Sequence, residues 1–336
     1  MKPSILLHTK FLVPRPRVDL LPRPRLLDWL ESNADKRLTL ISAPAGYGKT
    51  TLLADFLNAS IHPFAWYQLD GQDSDPTVFL TYLIESLRRT TRAPESLSHT
   101  IGQTAQSLLD SADATVSPQR VLTVLINELA EQVGSSLRII LEDYHYVASP
   151  VVHHLVDFLL ENALPALHLI ISTRADPPLA LARLRARGQL AELRAPSLRF
   201  REDEVTKWME AVLPELSSES LTLLSEKTEG WPAALQITRS SLIGMDAQGM
   251  NAMLSGLSGS QQFVFEYLAE EVFRRLPEDT QEFLLRTSIL RQMDASACNA
   301  VANVENSQSV LEGLEKQNLF LTSLDSQRHW YRYHYL

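Results

Sequence analysis

The chain has 336 residues, of which 45% are apolar and 21% charged, so it can bury a substantial core and is not expected to be disordered. Its net charge of −9 argues against a nucleic-acid-binding surface formed by the chain as a whole. Its single cysteine, Cys298, excludes an intrachain disulfide. Because the apolar stretches are too short for a membrane span or a secretion signal, we expect a soluble, cytoplasmic protein with no membrane partner.

Residues 1–25 form an arm rich in proline and arginine, and its prolines oppose helix formation until a helix begins after Pro24. Strand and helix patterns then alternate as far as about residue 200. The predicted strands are 38–43, 64–69, 137–142, 167–172 and a short one near 198–200. The helices between them are predicted at 50–59, 76–90, 119–132, 151–163 and 179–187. This alternation predicts an α/β fold, a mostly parallel sheet with helices on both faces.

A glycine-rich segment follows the first strand, where residues 43–50 read Ala-Pro-Ala-Gly-Tyr-Gly-Lys-Thr. Such a loop between a buried strand and a helix is typical of a phosphate-binding loop, whose backbone N–H groups surround the phosphates of a nucleotide. Lys49 is expected to contact the β- and γ-phosphates, and the hydroxyl of Thr50 to bind Mg²⁺. The usual pattern opens with glycine, and Ala43 stands in that position. The predicted nucleotide contacts of the loop and the helix start are Ala45, Gly46, Tyr47, Gly48, Lys49, Thr50 and Thr51.

Polar residues follow two later strands, where catalytic groups of open α/β sheets are found. Glu142 and Asp143 end the strand Arg138-Ile139-Ile140-Leu141. We expect Glu142 to hold Mg²⁺ with Thr50, and Asp143 to polarise the attacking water. The alternative is a solvated acidic pair. Arg174 follows the strand 167–172, and it is either a sensor of the γ-phosphate or an arginine on the surface.

Four further features each allow a structural and a functional interpretation. Asp75 precedes Pro76 and fits a helix N-cap better than a site residue. Arg183, Arg185 and Arg187 form either a solvated basic face or contacts to a neighbouring molecule's nucleotide. The turn Gly230-Trp231-Pro232 is either an ordinary helix start or a surface that packs on adenine. His334 is either a histidine of a hairpin or a contact to a diphosphate.

Beyond about residue 200 the strand patterns largely give way to helical ones. These are predicted at 202–212, 217–228, 231–242, 260–275, 278–288, 296–303 and 308–317. Residues 319–324 and 330–334 then predict a β-hairpin, and helices followed by a hairpin indicate a winged helix. The segment 243–260 is rich in glycine, serine and methionine and is interpreted as a hinge. The sequence stops abruptly after the second hairpin strand, which suggests a fragment.

Several strings in this order resemble the ATPase module of MalT-like regulators, bacterial transcription activators of the LuxR class within the STAND group of signal-transduction ATPases. The resemblance extends over essentially the whole chain. It is based on Thr9-Lys10-Phe11-Leu12-Val13-Pro14, Ser42–Thr51, Trp66-Tyr67-Gln68-Leu69-Asp70, Leu141–His145, Ser172-Thr173-Arg174, Arg185–Leu190, Glu229–Gln236 and Tyr333-His334-Tyr335-Leu336. It implies an arm (1–25), a P-loop ATPase domain (26–200), a helical domain (201–275) and a winged-helix domain (276–336).

The resemblance also implies a function, that of a switch with slow ATP hydrolysis. ADP would hold an inactive monomer, and a signal ligand would permit ATP exchange and self-association, whereas the inducer and DNA would bind to domains outside this chain. It assigns Gly230 and Pro232 to the adenine side and His334 to the winged-helix sensor, and it places Arg23 near the adenine end. Glu142 stands where aspartate is usual, and Tyr335 where a small residue or proline is commoner. The alternatives are an AAA+ ATPase acting on DNA, a P-loop kinase for a small metabolite, and a nucleotide-binding interaction module without hydrolysis.

Overall fold

The contacts within the molecule divide the chain into two compact units. The computed structural model describes residues 6–14, 23–91, 100–111, 116–133, 136–162, 164–211, 213–214, 216–246, 248–250, 273–290, 292–316, 321–323, 325, 327 and 329–333. The first unit comprises Met1–Ser42 and Lys49–Arg194, and the second comprises Ala43–Gly48 and Ala195–Leu336. The loop 43–48 therefore groups with the second unit, although it connects a strand and a helix of the first.

A five-stranded parallel sheet with strand order β2-β3-β4-β1-β5 forms the centre of the first unit. Its strands are β1 Leu38–Ser42, β2 Phe64–Gln68, β3 Leu137–Glu142, β4 Leu167–Thr173 and β5 Leu190–Arg194. Every residue of β1, β3 and β4 is buried, as expected for central strands covered by helices on both faces. The predicted fold class is confirmed.

The helices of the first unit follow the predicted ones closely. They are α1 Pro24–Ser32, α2 Lys49–Ala59, α3 Pro76–Arg88, α4 Gln103–Leu109, α5 Pro118–Gln132, α6 Pro150–Asn162 and α7 Leu181–Ala186. The side chain of Asp75 accepts hydrogen bonds from the backbone N–H groups of Thr77 and Val78, which confirms the N-cap interpretation. Within the described residues, no helix combines the length and apolar character that a bilayer crossing requires.

Two elements of the first unit differ from the prediction. The strand predicted near 198–200 is wrong, because the edge strand is β5 at Leu190–Arg194 and a helical turn follows it. Burial along β5 alternates, and Glu192 and Arg194 are only partly covered, so β5 lacks the continuous apolar run of the central strands. Helix α4 was not predicted at all.

The second unit is helical and ends in an antiparallel hairpin. Its helices are α8 Ala195–Leu198, α9 Glu202–Glu210, α10 Ser218–Thr228, α11 Pro232–Leu242, α12 Glu278–Thr287, α13 Ala295–Ala302 and α14 Ser307–Lys316. Strands β6 Leu321–Ser323 and β7 Tyr331–Tyr333 pair antiparallel, which confirms the predicted hairpin. Residues 251–272, which include most of the predicted hinge and of the helix at 260–275, lie outside the described residues.

A buried lysine attaches the N-terminal arm to the first unit. Lys10 lies in a short 3-10 turn, His8–Phe11, and is only 5% exposed. Its ammonium nitrogen is 2.6 Å from Oδ2 of Asp73 and 2.9 Å from Oδ2 of Asp70. Tyr67 donates a hydrogen bond of 2.7 Å to the other oxygen of Asp73. These contacts compensate the buried ammonium and hold the arm beside the edge strand β2.

The arginines of α7 are engaged in ion pairs. Arg183 pairs with Glu161, and Arg185 donates two hydrogen bonds of 2.9 Å to Glu192. Their side chains are about half exposed, at 43% and 54%. This arrangement fits a solvated face, and the action of these arginines on a neighbouring molecule stays a prediction.

A buried arginine in the central strand β3 yields a stability prediction. Arg138 is 1% exposed, and its guanidinium donates to Ser60 Oγ at 2.7 Å and to both Glu31 oxygens at 2.8 and 2.9 Å. Glu31→Ala leaves this buried cation without its carboxylate, so we expect the free energy of unfolding to fall by about 2 kcal/mol. This value is lower than for a fully buried pair, because Glu31 is half exposed. Arg138→Met removes the charge itself and should cost less.

Chemical denaturation of both variants measures these free energies of unfolding. Asp35→Ala removes the exposed Asp35–Lys36 pair and should change stability by less than about 0.5 kcal/mol. A Glu31→Ala variant as stable as this control would show that Glu31 does not compensate the buried guanidinium.

Candidate nucleotide-binding site

The loop between β1 and α2 needs glycine at two positions for different reasons. Gly46 and Gly48 have φ angles of +76° and +72°, in the left-handed region that side chains rarely adopt. A Cβ atom on Gly46 would also lie 2.7 Å from Cβ of Ala233 and 2.9 Å from a ring carbon of Trp231. At Gly48 the nearest atom, Cβ of Pro232, is 3.9 Å away, so only the backbone conformation requires glycine there.

Lys49 begins α2 and is buried, with 7% of its surface exposed. Burial lowers the pKa of its ammonium group. The charges of Glu142 and Asp143 raise this pKa, and the charge of Arg174 lowers it. An ammonium group that is held among two carboxylates and removed from water can pair with an anion without competition from solvent. The neighbouring Thr51 is an exposed residue of the same helix.

Glu142 ends β3 with its carboxylate fully buried. The hydroxyl of Thr50 donates a hydrogen bond to Oε1, whereas Oε2 accepts no hydrogen bond of ordinary geometry from the described residues. Burial raises the pKa of Glu142, and Asp143 raises it further, whereas the hydroxyls of Thr50 and Ser172 and the charge of Lys49 lower it. This carboxylate therefore retains an unused oxygen beside a hydroxyl.

This pair of oxygen ligands fits a magnesium ion. Thr50 and the uncoordinated oxygen of Glu142 are hard oxygen donors, the kind that Mg²⁺ prefers. In the described part of the chain no group of three or more His, Cys, Asp or Glu side chains forms a metal site. A magnesium ion here would take its remaining ligands from phosphate and water, as is usual for this metal.

Asp143 extends beyond β3 with a left-handed backbone (φ +59°). Its Oδ2 lies 3.4 Å from Nε2 of Gln68, and its Oδ1 lies 3.8 Å from Nδ1 of His145. Neither Gln68 nor His145 is among the predicted site residues. Gln68 could have been predicted as a site residue, because β2 pairs with β3 and places Gln68 opposite Glu142 at the carboxyl ends of the two strands.

Arg174 follows β4, and the sheet order places this strand between β1 and β3. The register supports this position, because Ser42 at the end of β1 pairs with Thr173. Arg174 also lies close enough to Lys49 to lower the pKa of that group. The sheet therefore brings Lys49, Thr50, Glu142, Asp143 and Arg174 together at the carboxyl ends of its central strands.

In the second unit, the turn before α11 packs on the loop 43–48. The backbone N–H of Ala233 donates a hydrogen bond of 3.0 Å to the carbonyl of Gly46. The rings of Tyr47 and Trp231 lie 6.4 Å apart at an angle of 42°. Ala45 and Tyr47 are buried, and Pro232 occupies the first turn of α11, where its missing N–H costs little.

Gly230 directly precedes Trp231 of this turn. Gly230 has a φ of +68°, and its carbonyl accepts a hydrogen bond of 2.8 Å from the N–H of Phe200. The proposed adenine contact of Gly230 and Pro232 stays a prediction. Arg23 is buried directly before α1. His334 lies outside the described residues.

Comparison with known proteins identifies the family. Residues 269–336 match the family described as the MalT winged helix domain. The HTH-type transcriptional regulator MalT of Yersinia enterocolitica is 35% identical over 315 residues, which are 93% of this chain and 34% of that regulator. The chain is thus similar to a part of MalT over nearly its own whole length, and we refer to it as the MalT-like module. The match to MalT of Vibrio cholerae, at 30% identity over 94% of this chain and 34% of that regulator, agrees with this assignment.

The MalT-like module also resembles part of a protein of another kind. The serine/threonine-protein kinase PknK of Mycobacterium tuberculosis is 32% identical over 333 residues, 97% of the module and 29% of the kinase. The module spans about a third of the length of the curated relatives it matches. The solved structure of a Walker-type ATPase of Pyrococcus abyssi also matches. The match covers 96% of the module and 95% of the ATPase chain, with a TM-score of 0.58 and 18% sequence identity. At that identity the likeness shows the fold alone, the parallel sheet of the P-loop NTPase class.

Proposed function

We propose that this chain is the STAND-type switch module of a MalT-like bacterial transcriptional activator, which binds ATP and ADP with Mg²⁺ and hydrolyses ATP slowly. The observation that carries the proposal is the hydrogen bond from Thr50 to the buried carboxylate of Glu142 at the carboxyl ends of the parallel strands, with the buried ammonium of Lys49 close enough for that carboxylate to raise its pKa. A buried ammonium and a hydroxyl at a helix start, beside a carboxylate with an unused oxygen, suit a polyphosphate and its metal.

Each group has a specific role in this proposal. Backbone N–H groups of residues 45–51 and the ammonium of Lys49 bind the phosphates. Thr50 and Glu142 hold Mg²⁺, which neutralises phosphate charge when it is bound. Arg174 donates hydrogen bonds to the γ-phosphate, and Asp143 orients the attacking water and accepts its proton. The resemblance to MalT-like regulators assigns further nucleotide contacts to Gly230, Pro232 and His334.

The regulatory part of the proposal depends on the difference between the two nucleotides. A ligand shifts a conformational equilibrium only by its differential affinity for the two states. ATP offers Arg174 a phosphate that ADP lacks, so contacts to Arg174 favour an ATP-bound state that self-associates. The domain limits remain those of the sequence, with an arm (1–25), an ATPase domain (26–200), a helical domain (201–275) and a winged helix (276–336).

The relatives suggest that the output of the switch depends on other parts of the full-length protein. One relative is named as a transcriptional regulator and another as a protein kinase, and each matches this chain over about a third of its length. Inducer and DNA binding are therefore proposed for segments outside these 336 residues.

Light scattering tests the proposed self-association, and it should show larger particles with a non-hydrolysable ATP analogue than with ADP.

Calorimetric titration tests nucleotide binding directly. Purified protein, stripped of nucleotide, should bind both ADP and ATP, and Mg²⁺ should strengthen the binding of ATP through Thr50 and Glu142. Material that binds neither nucleotide with magnesium present would overturn the proposal. Binding of guanine nucleotides in preference would contradict the adenine assignment alone.

A substitution at Asp143 tests hydrolysis. Asp143→Asn removes the proton acceptor but keeps the size of the side chain, so single-turnover hydrolysis should slow by about a hundredfold. Its ADP affinity should change little, because the phosphates are held by other groups. Asp35→Asn, an exposed aspartate of the same unit, is the matched control.

The contacts of Asp143 also favour a second candidate function, a module that binds nucleotide without hydrolysing it. Its carboxylate already faces Gln68 and His145, which could hold it away from a water molecule. Wild-type protein with no measurable single turnover but intact binding would favour this second function.

A further inference from the structure

Glu229 is a carboxylate shared by two arginines that come from distant parts of the sequence. It follows α10 with a left-handed backbone (φ +48°), and its side chain is 12% exposed. Arg199 donates to Oε2 at 2.9 Å, and Arg332 donates to Oε1 at 3.1 Å. Arg199 follows α8, whereas Arg332 lies in β7 of the hairpin. Both oxygens of this carboxylate are therefore engaged, one by each arginine.

The first arginine extends this group to the phosphate loop. Arg199 lies close enough to Tyr47 for its charge to act on the phenol of that tyrosine, which is buried, with 4% of the residue exposed. Burial raises the pKa of Tyr47, which Arg199 lowers and Glu229 raises, so all three groups share one electrostatic environment. A polar chain Tyr47–Arg199–Glu229–Arg332, which we call the relay, thus links the loop to the hairpin.

A second connection runs beside the relay through the backbone. Glu229 directly precedes the turn whose Trp231 packs on Gly46 and Tyr47, and whose Ala233 bonds the Gly46 carbonyl at 3.0 Å. A shift of Glu229 therefore displaces the segment that supports the loop. Both connections lie within the second unit.

We infer that Glu229 is a positioning residue that couples the hairpin β6–β7 to the phosphate loop and thereby slows ADP release. The inference rests on the proposed nucleotide switch. The hairpin cannot move away without separating Arg332 from a largely buried carboxylate, and such a separation is unfavourable unless another partner replaces it. In this inference the relay has two arrangements, one with the Arg332–Glu229 contact formed and one with it broken. The position of the hairpin then determines how well the turn at Trp231 supports the loop.

The dissociation rate of a fluorescent ADP analogue tests this role. Glu229→Gln and Arg332→Gln should each speed release about tenfold, within the usual range of coupling between sites. The double variant should be no faster than either single one, because both remove the same contact. Arg332→Lys, which keeps the charge, should recover part of the effect. Glu282→Gln breaks an exposed pair with Arg286 in the same unit and should leave release unchanged. Additive single effects, or unchanged release, would overturn the inference.

Hydrogen exchange without nucleotide separates this inference from the proposed function. Arg332→Gln should raise exchange of the Ala233 amide, which bonds Gly46, about fivefold through loss of local stability. Tyr47→Phe removes only a hydroxyl and should raise exchange of the Tyr331 amide, which bonds Met293 in the hairpin region. If neither amide responds, the relay is overturned even where ADP binds normally. If both respond in protein that binds no nucleotide, the coupling stands and the nucleotide switch fails.

Discussion

Lys49→Ala is expected to weaken the binding of both ADP and ATP by about a hundredfold or more, equivalent to roughly 2.7 kcal/mol. The substitution removes the buried cation that faces the phosphates, and it leaves Glu142 and Asp143 without the ammonium that offsets them. Two uncompensated carboxylates then repel the anionic ligand in an environment of low polarity, so the loss exceeds that of one exposed ion pair. Isothermal titration at constant ionic strength measures both affinities.

Two further variants show whether that loss comes from the charge. Lys49→Met keeps an unbranched side chain without the charge, and it should lose nearly as much affinity as Lys49→Ala. Lys36→Ala removes a partly exposed lysine of the same unit and should not alter binding. If the Lys49 variants bound ADP and ATP as wild type does, the loop would not be the phosphate site.

Gly230→Ala is expected to destabilise the second unit by about 3 kcal/mol or more. Alanine at φ +68° costs roughly 1 kcal/mol in backbone strain alone. A Cβ atom there would also lie 2.2 Å from the carbonyl oxygen of Phe200, a backbone atom that cannot rotate away. The turn must therefore shift, and with it the hydrogen bond from the N–H of Phe200 to Gly230.

Gly188→Ala is a matched control for the clash. Gly188 has a φ of +66°, nearly the same as that of Gly230, but no atom of the described residues beyond its two chain neighbours lies within 4 Å of its added Cβ. It should lose only the roughly 1 kcal/mol of backbone strain. Denaturant titration followed by tryptophan fluorescence reports both losses, and equal losses would show that packing against Phe200 does not determine the cost.

Much of the sheet was predictable because its central strands are buried on both faces. Such strands are continuous apolar runs, and β3 and β4 were located from them. The edge strand β5 was missed because every second side chain is only partly buried, Glu192 and Arg194 among them, so β5 has no continuous apolar run. Edge strands are recognised by their pairing with a neighbour, and a single sequence does not contain that pairing.

The candidate site divides in the same way. Lys49, Thr50 and Glu142 were predicted together, because a loop of this composition and an acidic strand end have few other uses in an α/β sheet. Gln68 and His145 were not predicted as site residues, since amide and imidazole side chains are common at strand ends. Only their proximity to Asp143 distinguishes these two residues from other polar residues at strand ends. Glu229 and its two arginines are separated by 30 and 103 residues along the chain.

The sequence by itself determined the central strands with the helices between them, the position of the glycine-rich loop and the hairpin, because each depends on local composition and on the period of apolar residues. Only the tertiary structure decided that β5 pairs with β1 as the edge strand, that the turn at Trp231 supports Gly46, and that one carboxylate serves both Arg199 and Arg332. These are contacts between distant segments. They depend on how the chain packs, and the local pattern around each residue does not specify its partner.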